Sequence, residues 1–308
     1  MAPATIDLQL LQSRQWSVDT SYNASIIISY NLALGAAGTN LPLTFEAHPS
    51  FHALPSFACV PTISVMGAVS QAFPSLLPKF QPHNQLHGEH YIRSLAPFPI
   101  PSSNSPTVPI RTTGKIIGCV SRPRGVTVTV AIETSHPPSG TVICYSEWTS
   151  FVLGIPPAGA STTTEDRGPA TATYPTPSRT ADKVLQYKTT PEQGALYRAA
   201  SGDLNPLHID PATAKRAGFQ GPILTGTCTL GVGIRQIIEE FAGGDVGRFD
   251  WVRCRLSKPV FPGELVRTEM WEEEGRRIAF RMVVGDGKGE KVVIGNAAVG
   301  LKTNAGNL

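Results

Sequence analysis

In the run Asp203-Leu204-Asn205-Pro206-Leu207-His208, an acid, an amide and an imidazole fall within six consecutive positions. A carboxylate and a histidine so close on one loop can hold a single water between them, one accepting a proton while the other gives one. Moving water on or off the double bond of an acyl thioester needs those two roles, a base for the α-proton and an acid for the departing hydroxyl. Asn205 can orient the water, or fix the ring of His208, through its side-chain amide. The charge that develops on the thioester oxygen needs donors too. Gly221-Pro222-Ile223-Leu224-Thr225-Gly226 leads the chain into a long apolar helix, whose free N–H groups and positive dipole end suit an enolate oxygen. The plainer alternative is a capping aspartate and a satisfied buried histidine. Either residue alone favours it; the joint pattern ahead of a glycine-punctuated helix favours chemistry.

The elements around this loop follow from patterning. Residues 191–200 read as a short helix ending near Gly202, Asn205 caps a turn that starts at Pro206, and Asp210 caps a helix that starts at Pro211 and stops at Gly218. A long, mostly buried helix spans 224–241 and stops at Gly243-Gly244. Gly226, Gly231 and Gly233 inside it each cost about 1 kcal/mol against alanine, which a close approach of ligand or sheet would explain. Strands follow at 249–260, 265–272, 276–284 and 291–301, with turn signals such as Gly285-Asp286-Gly287. A buried helix followed by consecutive strands predicts an antiparallel sheet wrapped round the helix, a hot-dog shape.

The first half has the same order: an apolar helical stretch at 63–73, then strands at 90–95, 114–120, 126–133 and 141–152. The expected class is α+β, a double hot dog in which antiparallel sheets each wrap a long central helix. Residues 1–155 form an N-terminal module and 181–308 a catalytic one. Between them 156–180, rich in Pro and Thr and without periodicity, is a semi-extended linker. A stretch at 97–109 looks like an insertion.

With 308 residues, 41% hydrophobic and 16% charged, the chain can bury a core in each half. A net charge of +3, scattered, does not suit a nucleic-acid face but does suit a phosphorylated small molecule. Five cysteines without a C-x-x-C spacing imply neither a zinc site nor a disulfide framework, and point to a reducing compartment. No secretory leader is read, the apolar stretches look too short to span a membrane, and Gly306-Asn307-Leu308 is not an S-K-L type ending. The expected location is therefore cytoplasmic. His87-Gly88-Glu89-His90 has two histidines without a third ligand, so a strand entering the sheet outweighs a metal site. Gly231-x-Gly233 lacks the third glycine and the preceding strand of a dinucleotide loop. Arg253 and Arg255 alternate along a strand and share a face. With Lys258 they are candidates for coenzyme A phosphates, a solvated sheet edge being the alternative.

Residues 201–211 (S-G-D-x-N-P-L-H-I-D-P), then Ala217-Gly218-Phe219 and 221–229 (G-P-I-L-x-G-x-C-T), resemble the R-specific enoyl-CoA hydratases, or MaoC-like dehydratases. The likeness continues at 31–36, 86–91, 145–147 and 258–263, as in the eukaryotic two-module form of that family. It implies Asp203 and His208 as the catalytic pair, Asn205 as their helper and the Gly226 N–H as oxyanion donor. It also implies an acyl-coenzyme A substrate, the R-3-hydroxyacyl product, and an N-terminal half that has lost its catalytic loop and enlarges the acyl pocket. No metal and no cofactor are expected beyond the coenzyme A of the substrate; a homodimer is compatible, and a peroxisomal site is the family's analogy. Two departures stand out: Thr225 where relatives usually carry histidine, and a Pro/Thr linker in place of a glycine-rich junction.

The expected activity is reversible syn hydration of an enoyl thioester. The same chemistry in a biosynthetic setting, on a polyketide or alkylcitrate-like branched acyl group or a carrier-protein thioester, is the second reading. A hot-dog thioesterase has no use for the Asn-Pro-x-His arrangement, and a non-catalytic acyl-binding module has no use for the acid–histidine pair.

Overall fold

A computed structural model describes residues 3–285 and 289–303. The Gly285-Asp286-Gly287 turn, except for its first residue, and the Gly306-Asn307-Leu308 ending lie outside the described residues. Ten strands form one sheet: β1 Gln15–Asn23, β2 Gln85–Ser94, β3 Thr107–Arg122, β4 Gly125–His136, β5 Thr141–Leu153, β6 Lys183–Lys188, β7 Phe249–Leu256, β8 Leu265–Glu273, β9 Arg277–Val284 and β10 Lys291–Leu301. The helices are α1 Leu8–Ser13, α2 Ala24–Ala33, α3 Leu41–Thr44, α4 Cys59–Leu76, α5 Gln193–Ser201, α6 Pro211–Arg216 and α7 Gly226–Ala242.

The order across the sheet is β1-β3-β4-β5-β2-β7-β10-β9-β8-β6. Read outward from the middle, each half repeats one topology, with β2 and β7 meeting antiparallel at the seam through pairs such as Ile92↔Val252 and Glu89↔Arg255. This is a double hot dog. Its strands are built by alternation: Val126, Val128, Val130 and Ile132 of β4 are buried on one face, while Thr127, Thr129, Ala131 and Glu133 are not. Val65, Val69 and Phe73 of α4 cover that face in a core confined to the N-terminal half. A second core surrounds α7 and crosses the seam, taking in Tyr30, Phe57 and Ile92 from the first half.

The glycines of α7 mark close approaches, and each has a protein neighbour. A Cβ on Gly226 would lie 2.6 Å from Leu256 Cδ1, one on Gly233 2.8 Å from Met282 Sδ, and one on Gly231 2.7 Å from Leu34. The first two are approaches of the sheet, as expected; the third is the N-terminal half resting on the helix. The end of α2 is held from the same side, where Gln193 donates its side-chain amide to the Ala33 carbonyl and Arg235 Nε donates to Leu34 O at 2.9 Å. These are carbonyls that a helix end leaves without intrahelical partners.

The 156–180 linker is tied to the sheet at three points: Ser161 donates to Cys119 O at 2.9 Å, Arg167 pairs with Glu147 at 2.8 Å, and Tyr174 N donates to Asn296 Oδ1. It therefore lies along both half-sheets. One expectation is corrected: the helical stretch Pro55–Leu76, 22 residues with mean hydropathy 1.3, is long and apolar enough by length and composition to cross a membrane. In this fold 56% of its apolar window is buried, consistent with its place over the N-terminal half-sheet. Histidines 87 and 90 sit at β2, His87 stacked on Trp148 at 3.5 Å and its Nε2 3.2 Å from His90 Nδ1. Among the described residues no cluster of three His, Cys, Asp or Glu side chains gathers.

Candidate active site

Helix α5 ends at Gly202, whose φ of +70° reverses the chain at a position any side chain would strain. Asp203 follows immediately, and its Oδ1 accepts the Asn205 N–H at 3.0 Å, closing a tight turn. Asn205 Oδ1 accepts the Leu207 N–H at 3.1 Å and caps the one-turn helix Pro206–His208. Asp210 then caps α6 through Ala212 and Thr213. The Thr213 hydroxyl, then those two N–H groups, hold the Asp210 carboxyl below its usual range. The loop is thus a chain of caps, and it delivers His208 to the start of α7.

His208 Nδ1 lies 2.8 Å from the Ile223 carbonyl. A carbonyl only accepts, so Nδ1 carries a proton, and in the neutral ring Nε2 is the nitrogen with the lone pair. That Nε2 faces Asp203 Oδ2 at 3.7 Å, with side chains 11% and 14% exposed. The gap is too long for a direct hydrogen bond, yet a water at about 2.8 Å from both atoms fits at its apex. Asp203 Oδ2 also accepts the Thr225 hydroxyl at 3.4 Å. The lead-in to α7 is pinned in turn by Leu224 N–H donating to Val260 O at 2.8 Å. As the first residue of α7, Gly226 has an N–H that the helix itself does not use.

A depression of about 360 Å³ opens beside His208, lined by Gly194, Ala195, Ile209, Pro222, Phe261 and Pro262 among others. A larger one, about 500 Å³, lies at the far end of α7 between Arg235, Glu239 and His52. It touches neither Asp203 nor His208; the smaller one is lined by His208 and adjoins the loop that carries Asp203.

The structure brings Asp203 and His208 together beside Thr225, the residue that precedes Gly226. It does not bring the Asn205 side chain against the ring of His208: its oxygen is committed to the cap, and Ile223 O orients the imidazole instead. Arg253 is corrected as well. It is buried, paired with Glu89 at 2.9 Å and donating to Asn296 O at 3.2 Å, because it stands on β7 at the seam. Arg255 and Lys258 are exposed, and among the described residues neither forms a salt bridge. Sequence reasoning passed over the Ile223 carbonyl, since a backbone acceptor has no residue signature. It also passed over Tyr197, whose hydroxyl donates to Thr227 Oγ1 at 2.9 Å inside the first turn of α7. Burial pushes the Cys228 thiol up to about 12, and all five cysteines are buried; none offers a thiolate.

Residues 172–294 match the family described as MaoC like domain, and 20–154 match the MFE-2 hydratase 2 N-terminal domain. The chain is 37% identical to the peroxisomal multifunctional enzyme type 2 of Mus musculus, over 94% of its own length and 38% of the mouse protein's. It is 32% identical to a probable enoyl-CoA hydratase 2 of Dictyostelium discoideum, covering 82% of each. Among solved structures it resembles a MaoC-like dehydratase from Phytophthora capsici, with a TM-score of 0.84, 27% identity, and 98% and 100% of the two chains covered. The chain spans between 28% and 47% of the length of three multifunctional relatives that it matches.

Proposed function

The chain belongs to the MaoC-like dehydratase family, and from that premise we propose that it adds water reversibly across the double bond of an enoyl-coenzyme A thioester. The observation that carries this reading is the Asp203–His208 pair, 3.7 Å apart, with Asp203 held at 3.4 Å by the hydroxyl of Thr225, the N-cap of α7. The thioester carbonyl oxygen accepts the Gly226 N–H, so that negative charge gathers there as the enolate forms. Water held between Asp203 and His208 loses one proton to the pair as its oxygen bonds to C3. The electron pair of the double bond moves toward the carbonyl, and the pair returns a proton to C2. One water is consumed and the site ends in its starting protonation state. Dehydration runs the same steps backwards.

Asp203 and His208 approach from one loop, so hydroxyl and proton reach the same face and the addition is syn. The R configuration at C3 rests on the family resemblance, as does the role of the N-terminal half in widening the acyl pocket. Several relatives are named peroxisomal, and the peroxisome is the compartment proposed here in place of the cytoplasm. No metal or further cofactor enters these steps.

Mixing the purified chain with a panel of enoyl-coenzyme A and enoyl-carrier thioesters tests the reading through the loss of the conjugated thioester absorbance. Turnover on the coenzyme A series supports it. Turnover only on carrier-bound substrates would select the biosynthetic reading, and release of free thiol would make the protein a thioesterase.

A further inference from the structure

Three catalytic groups come from two separate segments, and the short lead-in 223–226 touches all of them. Ile223 O holds His208 Nδ1 at 2.8 Å, and Gly226 supplies the first N–H of α7. The acid is the third group, and it sits on the other segment. Its Oδ1 is fixed by the Asn205 N–H, within its own loop, but Oδ2 is the oxygen that faces His208 Nε2. The donor on Oδ2 is the Thr225 hydroxyl, 3.4 Å away.

Thr225 occupies the N-cap of α7, where a threonine ordinarily turns its oxygen onto the N–H of the next turn. Here its side chain makes no such bond. The residue is buried, only 7% exposed, and its carbonyl instead anchors the helix start by accepting from Cys228 and Thr229. Its hydroxyl therefore forgoes the local role and is directed at the acid. One peptide bond separates Thr225 from the Gly226 N–H, so this contact sets the distance between the carboxylate and the oxyanion donor.

We propose that Thr225 is a positioning residue that registers the Asp203 carboxylate against the Gly226 N–H. The proposal rests on the hydratase reading above. A carboxylate free to rotate away from the water would lose the alignment that makes proton transfer productive, while the substrate's binding contacts would stay as they are. Misplacement by an ångström is enough to cost on the order of 10²-fold in rate.

Thr225→Val keeps the shape and removes the donor; Thr225→Ser keeps the donor. Each is compared with the parent and with Asp203→Asn on the best enoyl-coenzyme A substrate, with melting curves to establish folding. Valine is expected to lower kcat by about tenfold or more with KM within about threefold, and serine to stay within about threefold of the parent. A folded Thr225→Val chain with parental kcat, beside an inactive Asp203→Asn chain, overturns the proposal and leaves the hydratase reading standing. So do equal losses in the valine and serine variants, or a loss confined to KM. An Asp203→Asn chain that stays fully active overturns the hydratase reading, and this proposal falls with it.

Discussion

The rings of Tyr30 and Tyr197, one from each half of the chain, lie 5.6 Å apart with a 49° tilt, and neither is exposed. Each stands five residues before a glycine with positive φ, Gly35 at +81° and Gly202 at +70°. The two helices are thus counterparts, and Ala36 follows the first glycine where Asp203 follows the second. One copy of the turn keeps an acid and the other has none. Tyr30 also donates to Ser56 O at 2.6 Å, so losing its ring should be felt in both halves. Tyr30→Ala is expected to cost about 3–5 kcal/mol and Tyr30→Phe about 1 kcal/mol. Hydrogen exchange should report weaker protection in α5 as well as in α2; protection lost from α2 alone would contradict the shared core.

A methyl group on Gly226 would lie 2.6 Å from Leu256 Cδ1, so either that side chain or the helix start must shift to admit it. Gly226→Ala should therefore displace the start of α7 and cut turnover by roughly 10²-fold. Adding Leu256→Ala should return part of that loss, since alanine keeps the N–H. Steady-state kinetics on the single and double variants decide this, and a Gly226→Ala chain with normal turnover would exclude the Gly226 N–H as a precisely placed donor.

The basic residues around β7 should separate cleanly. Arg253 is tied to Glu89 across the seam, so Arg253→Ala should lower stability by about 1–3 kcal/mol with KM unchanged. Arg255→Ala and Lys258→Ala should leave melting unchanged and raise KM for a coenzyme A thioester by a few-fold, more at low salt. A rise in KM with Arg253→Ala alone would reverse these assignments.

Burial lowers His90 to about 3 and places His87 well below its usual range, with the His90 ring adding to the effect on His87. Unfolding frees both to bind protons near pH 6.5. Below that pH the unfolded chain holds more protons than the folded one, so stability is complete above about 6.5 and falls as the pH drops toward 3. The loss should approach about 1.4 kcal/mol per pH unit for each histidine. Urea midpoints between pH 7 and 4.5 measure it. His90→Gln should flatten the slope, and an unchanged slope would mean that His90 is protonated in the fold.

What was legible in the sequence follows from burial and from chemistry concentrated in one place. Strands β2 to β5 and β7 to β10 carry buried apolar residues, and all are legible in the sequence with shifts at their ends. β1 and β6 were missed because they are edge strands with mixed polar sequences, and only Tyr22 is buried along β1. The Asp203 and His208 pairing was readable as a candidate because side-chain type and spacing announce it, and the structure sets the two side chains 3.7 Å apart. The Ile223 carbonyl and the closure of Arg253 by Glu89 were not, since both depend on segments that meet only in the folded chain.

The central claim is that Asp203 and His208 act as one unit on one water. Its most direct test is the rate of enoyl-coenzyme A hydration for Asp203→Asn, His208→Gln and the double variant, each shown to be folded. Each single change should lower kcat by about 10³-fold or more, and the double change should cost little beyond the worse single one, as expected for groups that work together. Either single variant retaining turnover near that of the parent chain would contradict the account.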